Sequence, residues 1–284
     1  MKALYALLLA PAIAHAQPTD DAKAPEPADT AKPVAPEPAK KKSFYIRAGA
    51  AFIDPLSSSN PLELADVDGP ASLAVQNGPI AGSGATVSSV TVFAMTVGYR
   101  LPYLNRRLSV ETVLGLPFTV KFQATGTLRD QSIAPMALGI PTGVPPLGPD
   151  LGEAKGAPVT ATLVYELIDS GVVHPYVGAG PAILFAYDAH VTNAQLTMVS
   201  QPEMSIAPAP GLVLHGGVDV KVYDRWYARL DVKFIALMEA RAEVKHIQVQ
   251  TPDIPLFGTV EVGTAKMNVW VNPLIVQAGI GTDF

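Results

Sequence analysis

The chain has 284 residues, of which 49% are hydrophobic and 16% are charged, a charged fraction below the ~25% of soluble domains. Its net charge of −5 gives no electrostatic basis for binding nucleic acid. Cysteine is absent, which excludes disulfides, thiolate metal sites and cysteine nucleophiles. No internal run reaches the ~18 apolar residues of a transmembrane helix. High apolar content without a helical span favours a membrane β-barrel.

The first 16 residues have the three parts of a secretory signal peptide. Lys2 supplies the positive charge, Ala3–Ile13 the apolar run, and Ala14–Ala16 a small-residue cleavage site. The alternative is an N-terminal membrane anchor, but this apolar run is too short to span a bilayer. The sequence therefore predicts an exported protein.

Residues 17–42 are rich in Ala, Pro, Glu, Asp and Lys, and the pentapeptide Ala24–Ala28 recurs as Ala35–Ala39. This segment has no hydrophobic set to bury, which predicts a disordered tail with polyproline II bias. We interpret it as a linker on the periplasmic side. The alternative is an arm whose Lys40, Lys41 and Lys42 approach anionic lipid or the cell wall.

Residues 43–284 contain long segments in which apolar and polar residues alternate. The clearest is Trp226–Glu239, where one face is wholly apolar and the other carries Arg229, Asp231 and Lys233. Such a period of two predicts a strand, and its length exceeds the ~5–6 residues of a typical strand. The eight segments are Ser43–Ile53, Val87–Leu101, Leu108–Gln123, Glu153–Leu167, His174–His190, Gly211–Tyr223, Trp226–Glu239 and Lys266–Phe284.

The connections between these segments alternate between long loops and short turns. An even number of antiparallel strands with this alternation predicts an eight-stranded antiparallel up-and-down transmembrane β-barrel, with its short turns in the periplasm. The alternative is a soluble sandwich, which would have shorter strands and more Greek-key crossovers.

Several of these stretches resemble the OmpW-like outer-membrane proteins. The central hairpin carries the most specific match, in the run Pro175–Gly180. The resemblance rests on Ile46–Pro55, Thr160–Tyr165, His174–Gly180, Gly217–Val220, Trp226, Asp231–Ile235, Asn272–Gly281 and Phe284. The Pro-rich tail and the long loop after Ile53 depart from the family pattern, and so does Thr282, where an aromatic residue is common.

This resemblance implies an eight-stranded barrel in the cell outer membrane that gives small hydrophobic molecules a route across it. It also implies that the terminal Phe284 is the assembly signal read by the barrel-assembly machinery. The expected partners are thus outer-membrane lipid, small hydrophobic solutes and that machinery, without nucleic acid.

Strand direction places the inward charges at the periplasmic end of the predicted barrel. Buried charges in a narrow barrel have to be paired or hydrated, so we expect a lumen plug of mutually paired groups. Its predicted members are Arg47, Arg100, Glu111, Glu166, Asp219, Lys221, Arg229 and Asp231.

The inward residues nearer the outside are mostly apolar, with Lys121 as an exception. They predict an apolar pocket formed by Ala51, Ile53, Val92, Ala182, Leu184, Val213, Ile235 and Leu237. The alternative is a barrel interior that is simply well packed. A solute stopped by the plug would leave sideways into the bilayer. Pro117 and Pro158 cannot donate to the strand ladder, which predicts a lateral seam between the third and fourth strands. The alternative is a bulge that only shapes the barrel.

The sequence fits two other function classes less well. A lipid-modifying outer-membrane enzyme would need a Ser or His with an orienting acid, and no such grouping stands out around the five His residues. A structural or adhesive barrel would act through its loops, which carry few aromatics. No metal-ligand spacing or phosphate-binding loop is present, so the sequence predicts a non-enzyme without catalytic residues, metal or cofactor.

Overall fold

The structure is a computed structural model that describes residues 42–236 and 238–284. The predicted signal peptide, the predicted tail up to residue 41, and Leu237 of the predicted pocket lie outside the described residues. Within the described ranges, no helix has the length and apolar composition needed to cross a bilayer.

The described chain is almost entirely β-structure, and its strand pairs are antiparallel. The strands are β1 Phe44–Ser59, β2 Glu63–Ala65, β3 Gly78–Pro79, β4 Ser83–Val87, β5 Val90–Arg100, β6 Leu108–Gly115, β7 Phe118–Gly126, β8 Met136–Ala137, β9 Ile140–Pro141, β10 Asp150–Thr160, β11 Thr162–Glu166, β12 Val173–Val191, β13 Glu203–Ile206, β14 Ala209–Tyr223, β15 Trp226–Ala236, β16 Glu239–Gln250 and β17 Thr259–Asp283. Two four-residue helices, α1 Thr127–Asp130 and α2 Ala194–Thr197, lie in the connections.

The order of paired neighbours closes on itself. The path runs β11-β6-β5-β1-β17-β15-β14-β12, and β11 also pairs with β12. Short turns at residues 101–107, 167–172 and 224–225 lie at one end of these strands, which we call the turn end. The opposite end, called the loop end, carries the longer connections. A closed sheet has no free edge, so its backbone groups are satisfied internally.

The alternation of β15 separates an enclosed face from an outer face. Arg229, Asp231 and Ile235 are buried, whereas Leu230 and Val232 on the opposite face are exposed. Successive residues of a strand point to opposite faces, so one strand supplies both environments. The enclosed face is polar at the turn end and apolar at the loop end.

Much of the predicted loop sequence is strand. β17 begins at Thr259, before the predicted Lys266, and pairs there with β16 and β2. β13 joins β16 to β12, and β4 pairs with β7. Extending the sheet gives backbone groups of the long connections their hydrogen-bond partners, which an irregular loop would have to find elsewhere.

Serine side chains join β4 to β1 at the loop end. The Ser59 hydroxyl accepts from the Ala85 N–H at 2.7 Å, and the Ser57 hydroxyl accepts from the Val87 N–H at 3.0 Å. The Ser83 hydroxyl accepts from Leu62 N–H at 2.7 Å. These three contacts, called the serine seam, connect β4 to β1 and to the segment after β1. They are made by serine hydroxyls in place of backbone-to-backbone hydrogen bonds.

The strand formed by β6 and β7 changes face at Leu116–Pro117. The β6–β11 register pairs Glu111 with Thr162, whereas the β7–β10 register pairs Phe118 with Gly156, so the β6–β7 strand carries one extra residue between these pairs. A one-residue shift exchanges the two faces of a strand. The expectation that Lys121 points inward is therefore wrong, because it lies after the shift and its side chain is exposed.

Candidate functional site

The enclosed face at the turn end is a cluster of buried charges around Arg229. Its guanidinium donates to Glu111 Oε1 at 2.8 Å and to Asp219 Oδ1 at 2.7 Å. Asp219 also accepts from Arg47 at 3.1 Å, and Arg47 donates to Asp283 at 2.8 Å. These chains of charge-assisted bonds cross the interior between strands far apart in sequence. They satisfy charges that would be costly to bury alone.

Aromatic rings fill the space between these charges. Tyr45 donates to Glu111 Oε1 at 2.7 Å, and the Arg100 guanidinium lies 4.6 Å from the centre of its ring. The Arg229 guanidinium lies 4.5 Å from the centre of the Tyr176 ring. Cation–π contacts of desolvated arginines add to the ion pairs, so the cluster is held by two kinds of interaction.

Glycines on neighbouring strands make room for the tyrosines. A Cβ placed on Gly98 would lie 2.0 Å from the Tyr45 ring, and one on Gly217 would lie 2.5 Å from the Tyr176 hydroxyl. Each large inward ring thus sits over a position without a side chain. Such complementarity is what a narrow closed sheet requires to reach native packing density.

The predicted plug residues are placed as follows. Seven of the eight lie in this region: Arg47, Arg100, Glu111, Asp219, Arg229 and Asp231 are buried, and Glu166 is half-buried and bonded to His174 Nδ1 at 2.7 Å. Lys221 does not join them, because it lies near the end of β14 and its side chain is exposed. Its placement in the plug is therefore wrong, since the alternation persists beyond the part of the strand that is enclosed.

Sequence reasoning missed several members of the cluster. Asp283 bridges Arg47 and Arg100, accepting at 2.8 Å from each, although it stands next to the C-terminus. Tyr45 and His174 complete the contacts of Glu111 and Glu166. The alternation along β17 places Asp283, two residues after Gly281, on the inward face. This position could have identified it as a member of the cluster.

A second, smaller group separates the charge cluster from the apolar interior. Asp231 pairs with Lys233, and His215 Nδ1 lies 3.2 Å from Asp231 Oδ1. The Gln277 amide lies 3.4 Å from the hydroxyl of Thr96 and from the carbonyl of Ala94. The polar atoms of these side chains are bonded within each of the two sets of contacts. The aliphatic parts of the side chains therefore face the apolar space toward the loop end.

Two connected apolar pockets occupy the middle of the interior. The central chamber, of about 740 Å³ with its open mouth included, lies among β1, β7, β10, β12 and β17. The side chamber, of about 520 Å³, lies nearer the turn end. They share the lining residues Ile53, Phe118, Pro158, Ile235 and Ile275.

Of the predicted pocket residues, Ile53, Leu184 and Ile235 line the central chamber, and Ala51 and Val92 line the side chamber. Ala182 and Val213 pack with Ile235 in the adjoining cluster of buried apolar side chains. Phe118, Val120 and Phe122 alternate with Lys121, so the predicted inward position of Lys121 would put them on the outer face. They line the central chamber instead because of the face change at Leu116–Pro117.

The side chamber reaches the outer face where the ladder between β6–β7 and β10–β11 is interrupted. Paired residues are described up to Glu111 and Thr162 and resume at Phe118 and Gly156. Gly115, Leu116 and Pro158 line the chamber at this interruption. A Cβ built on Gly115 would meet no atom within 4 Å. Pro117 is exposed and lies between β6 and β7, while Pro158 is half-buried.

The described residues contain no group of three or more His, Asp or Glu placed to hold a metal ion. The terminal strand pairs with the first: the Phe284 N–H donates to the Phe44 carbonyl at 2.8 Å, and the Phe284 side chain is exposed.

Comparison with known proteins agrees with this architecture. The family model described as OmpW family matches residues 40–284. The dibenzothiophene metabolism operon protein PahQ of Pseudomonas aeruginosa is 25% identical over 205 residues, which are 72% of this chain and 77% of that protein.

Two solved structures share the fold. The outer membrane protein OprG from Pseudomonas aeruginosa has a TM-score of 0.63 at 21% identity, covering 86% of this chain and 97% of that one. The outer membrane protein AlkL, solved in lipid bilayers, has a TM-score of 0.50 at 17% identity, covering 92% and 96%. With a closed antiparallel sheet and a family match over nearly all described residues, the chain belongs to the OmpW family.

Proposed function

We propose that the protein is an outer-membrane β-barrel of eight spanning strands that passes small hydrophobic molecules from outside into the bilayer. Its turn end lies in the periplasm, with the N-terminal tail on that side. Its exposed apolar face contacts outer-membrane lipid, and the terminal Phe284 is read by the barrel-assembly machinery. The solute enters the apolar interior and leaves through the interrupted ladder beside Pro117 and Pro158.

The observation that carries this proposal is the coincidence of three features at one height of the wall. An apolar chamber, a break in backbone pairing and an uncrowded glycine meet at Gly115. A break of this kind is costly in lipid unless the backbone groups have other partners. Two backbone groups at the break have side-chain partners: the Thr160 carbonyl accepts from the Thr112 hydroxyl at 2.8 Å, and the Val113 N–H donates to the Thr160 hydroxyl at 3.3 Å.

The charge cluster supports a sideways exit over a straight pore. Arg47, Glu111 and Asp231 are at most 1% exposed, so the turn end offers a solute a barrier of desolvated, ion-paired side chains. An apolar molecule cannot replace these ion pairs, and breaking one is expected to cost about 3–5 kcal/mol. The route of least cost for such a molecule is through the wall.

The similarity to PahQ suggests a first solute to test. That relative is named for an operon of dibenzothiophene metabolism, and a three-ring apolar heterocycle matches the apolar lining of the central chamber. We therefore choose radiolabelled dibenzothiophene, with octane as a second probe.

The test places a large side chain in the opening. Gly115→Trp is expected to lower the uptake rate of dibenzothiophene by about tenfold in Gram-negative cells that express the protein, because the indole fills open space at the exit. The matched control is Leu163→Trp, which adds the same ring to the outer face of β11, where Leu163 is exposed. The control is expected to retain wild-type uptake.

The proposal fails if Gly115→Trp is present in the membrane at wild-type amount and takes up both probes at the wild-type rate. Uptake no faster than in cells without the protein would favour a structural or adhesive barrel. Release of fatty acid from the host's lipids would favour an enzyme.

A further inference from the structure

A third apolar cavity lies at the loop end, outside the two chambers described above. This loop chamber, of about 780 Å³ with its open mouth included, lies between two clusters of buried apolar side chains. Its lining is wholly apolar: Leu62, Leu64, Ala85, Phe122, Leu128, Ile133, Leu147, Leu151, Val191, Leu196, Met204, Ala242, Val244, Ile247, Val262, Ala265, Met267 and Val269. A solute there would find no hydrogen-bonding side chain.

This lining is built by the connections and by the strand extensions they form. Leu128 belongs to α1, Leu196 to α2, and Val262 to the part of β17 before Lys266. Both helices are a single turn, and each puts one buried leucine into the cavity. If these residues served only to fold the loops, they would be expected to close on one another at the density of other protein interiors. They enclose a space instead.

The wall of the loop chamber toward β1 is closed by the serine seam. Ala85 lines the cavity from β4, and its backbone N–H is held by the hydroxyl of Ser59. Leu62 lines it next to β1, and its N–H is held by Ser83. The cavity is thus enclosed on this side by hydrogen bonds between wall residues, with apolar side chains turned inward.

The loop chamber and the central chamber meet at Phe122. Phe122 lines both cavities, and they share no other lining residue. On β7, Phe122 is two residues before Ala124, which belongs to one of the two buried apolar clusters beside the loop chamber. It is two residues after Val120, which lines the central chamber. The ring therefore lies at the boundary between the two spaces.

We propose that the loop chamber is a second binding site for small molecules without polar groups, and that Phe122 is the partition they pass to reach the central chamber. This inference rests on the proposed function and adds a stage to it. The class is uncharged hydrocarbons and fused aromatics, because a polar group would lose its hydrogen bonds to water and gain none. Passage past one ring makes Phe122 a determinant of solute size.

Photolabelling tests occupancy directly. Outer membranes that contain the full chain are incubated with an eight-carbon alkane bearing a diazirine, irradiated, and digested for mass spectrometry. Labels are expected on loop-chamber residues such as Leu128 and Leu196, and on central-chamber residues such as Ile235 and Ile275. Ala242→Phe, which puts a ring into the loop chamber, is expected to lower the loop-chamber label by about tenfold. Ala50→Phe, on the exposed face of β1, is the control and leaves both labels unchanged.

A second variant tests the partition. Phe122→Ala joins the two cavities, so the uptake ratio of dibenzothiophene to octane is expected to rise about threefold while both labels persist. Phe93→Ala removes a ring from the exposed face of β5 and is the control.

The possible results separate this inference from the proposed function. Labels in the central chamber without labels in the loop chamber would overturn the second site and leave the passage intact. Labels in the loop chamber alone would overturn the passage past Phe122 and the proposed route with it. An unchanged uptake ratio in Phe122→Ala, with the protein in the membrane at wild-type amount, would overturn the partition.

Discussion

The two ends of the enclosed face are built from the same strands but are lined by different kinds of side chain. At the turn end, Arg229 contacts two carboxylates and the face of a tyrosine, and Gly98 and Gly217 make room for the rings. From the middle of the interior to the loop end, mostly apolar side chains line the central, side and loop chambers. Buried charges need partners at fixed distances, whereas apolar groups need none, so an apolar cavity can stay open without leaving polar groups unsatisfied.

This difference indicates a division of labour along each strand. β17 shows it best, because Val262, Val269 and Ile275 line cavities while Asp283 pairs with two arginines. The charged end fixes the relative positions of the strands, and the apolar end is then free to hold a guest. If so, damage to the charged end should lower stability, and damage to the apolar end should alter uptake.

The largest effect is expected from Arg229→Met. The change leaves Glu111 and Asp219 buried without their shared cation, which should lower the free energy of unfolding by about 3–5 kcal/mol. Lys221→Met is the matched control, because that exposed lysine should change stability by no more than about 0.5 kcal/mol. Urea unfolding of both variants in lipid vesicles measures the difference. Equal losses would show that the cluster does not position the strands.

Gly98→Ala should have the next largest effect. Its Cβ would overlap the Tyr45 ring, so the ring must move, at a cost of about 1–3 kcal/mol typical of overpacking. Gly115→Ala adds the same methyl at the apolar end, where nothing lies within 4 Å. Thermal unfolding should separate the two variants. A similar midpoint for both would contradict the view that the Tyr45 ring is tightly packed over Gly98 and that Gly115 borders open space.

Ser59→Ala should cost about 1 kcal/mol, the usual worth of a hydrogen bond, because the Ala85 N–H loses its acceptor. The effect should be local. Hydrogen exchange at Ala85 should accelerate while exchange near Asp219 is unchanged. Ser58→Ala, whose hydroxyl is on the exposed face of β1, is the control. Faster exchange throughout the sheet would instead assign the serine seam a global role.

The smallest effect is expected from Pro117→Val combined with Pro158→Val. Two backbone donors are restored beside the interruption, which should let the strands pair more often and lower uptake of dibenzothiophene about threefold. Pro175→Val, on β12 at the turn end, is the control. Unchanged uptake in the double variant would mean that the prolines only shape the wall.

Part of this arrangement was predictable because a period of two is a local property. The faces of β15, the inward position of Arg47 and the enclosure of Ile235 all follow from counting residues along a strand. The extension of the sheet at the loop end was not predictable in this way. Strands there such as β13 are short, and their pairing depends on partners far away in the sequence.

The limits of counting also explain the individual errors. Lys221 has the right parity but lies past the enclosed part of β14, and parity says nothing about where enclosure ends. Phe122 was placed on the wrong face because the extra residue near Leu116 is visible only in the pairing registers. The prolines marked the place of that irregularity without revealing its consequence for the residues after it.

Because of that single extra residue, which side chains of β7 face the interior depends on the exact number of residues that precede them in the strand. From Phe118 onward, the side chains that line the central chamber are Phe118, Val120 and Phe122, while Thr119 and Lys121 are exposed. Deleting one residue at the irregularity would exchange the two sets and turn an ammonium group toward the apolar space. Insertions and deletions of one residue, more than substitutions, are thus the changes by which a wall of this design would gain or lose tolerance for charged guests.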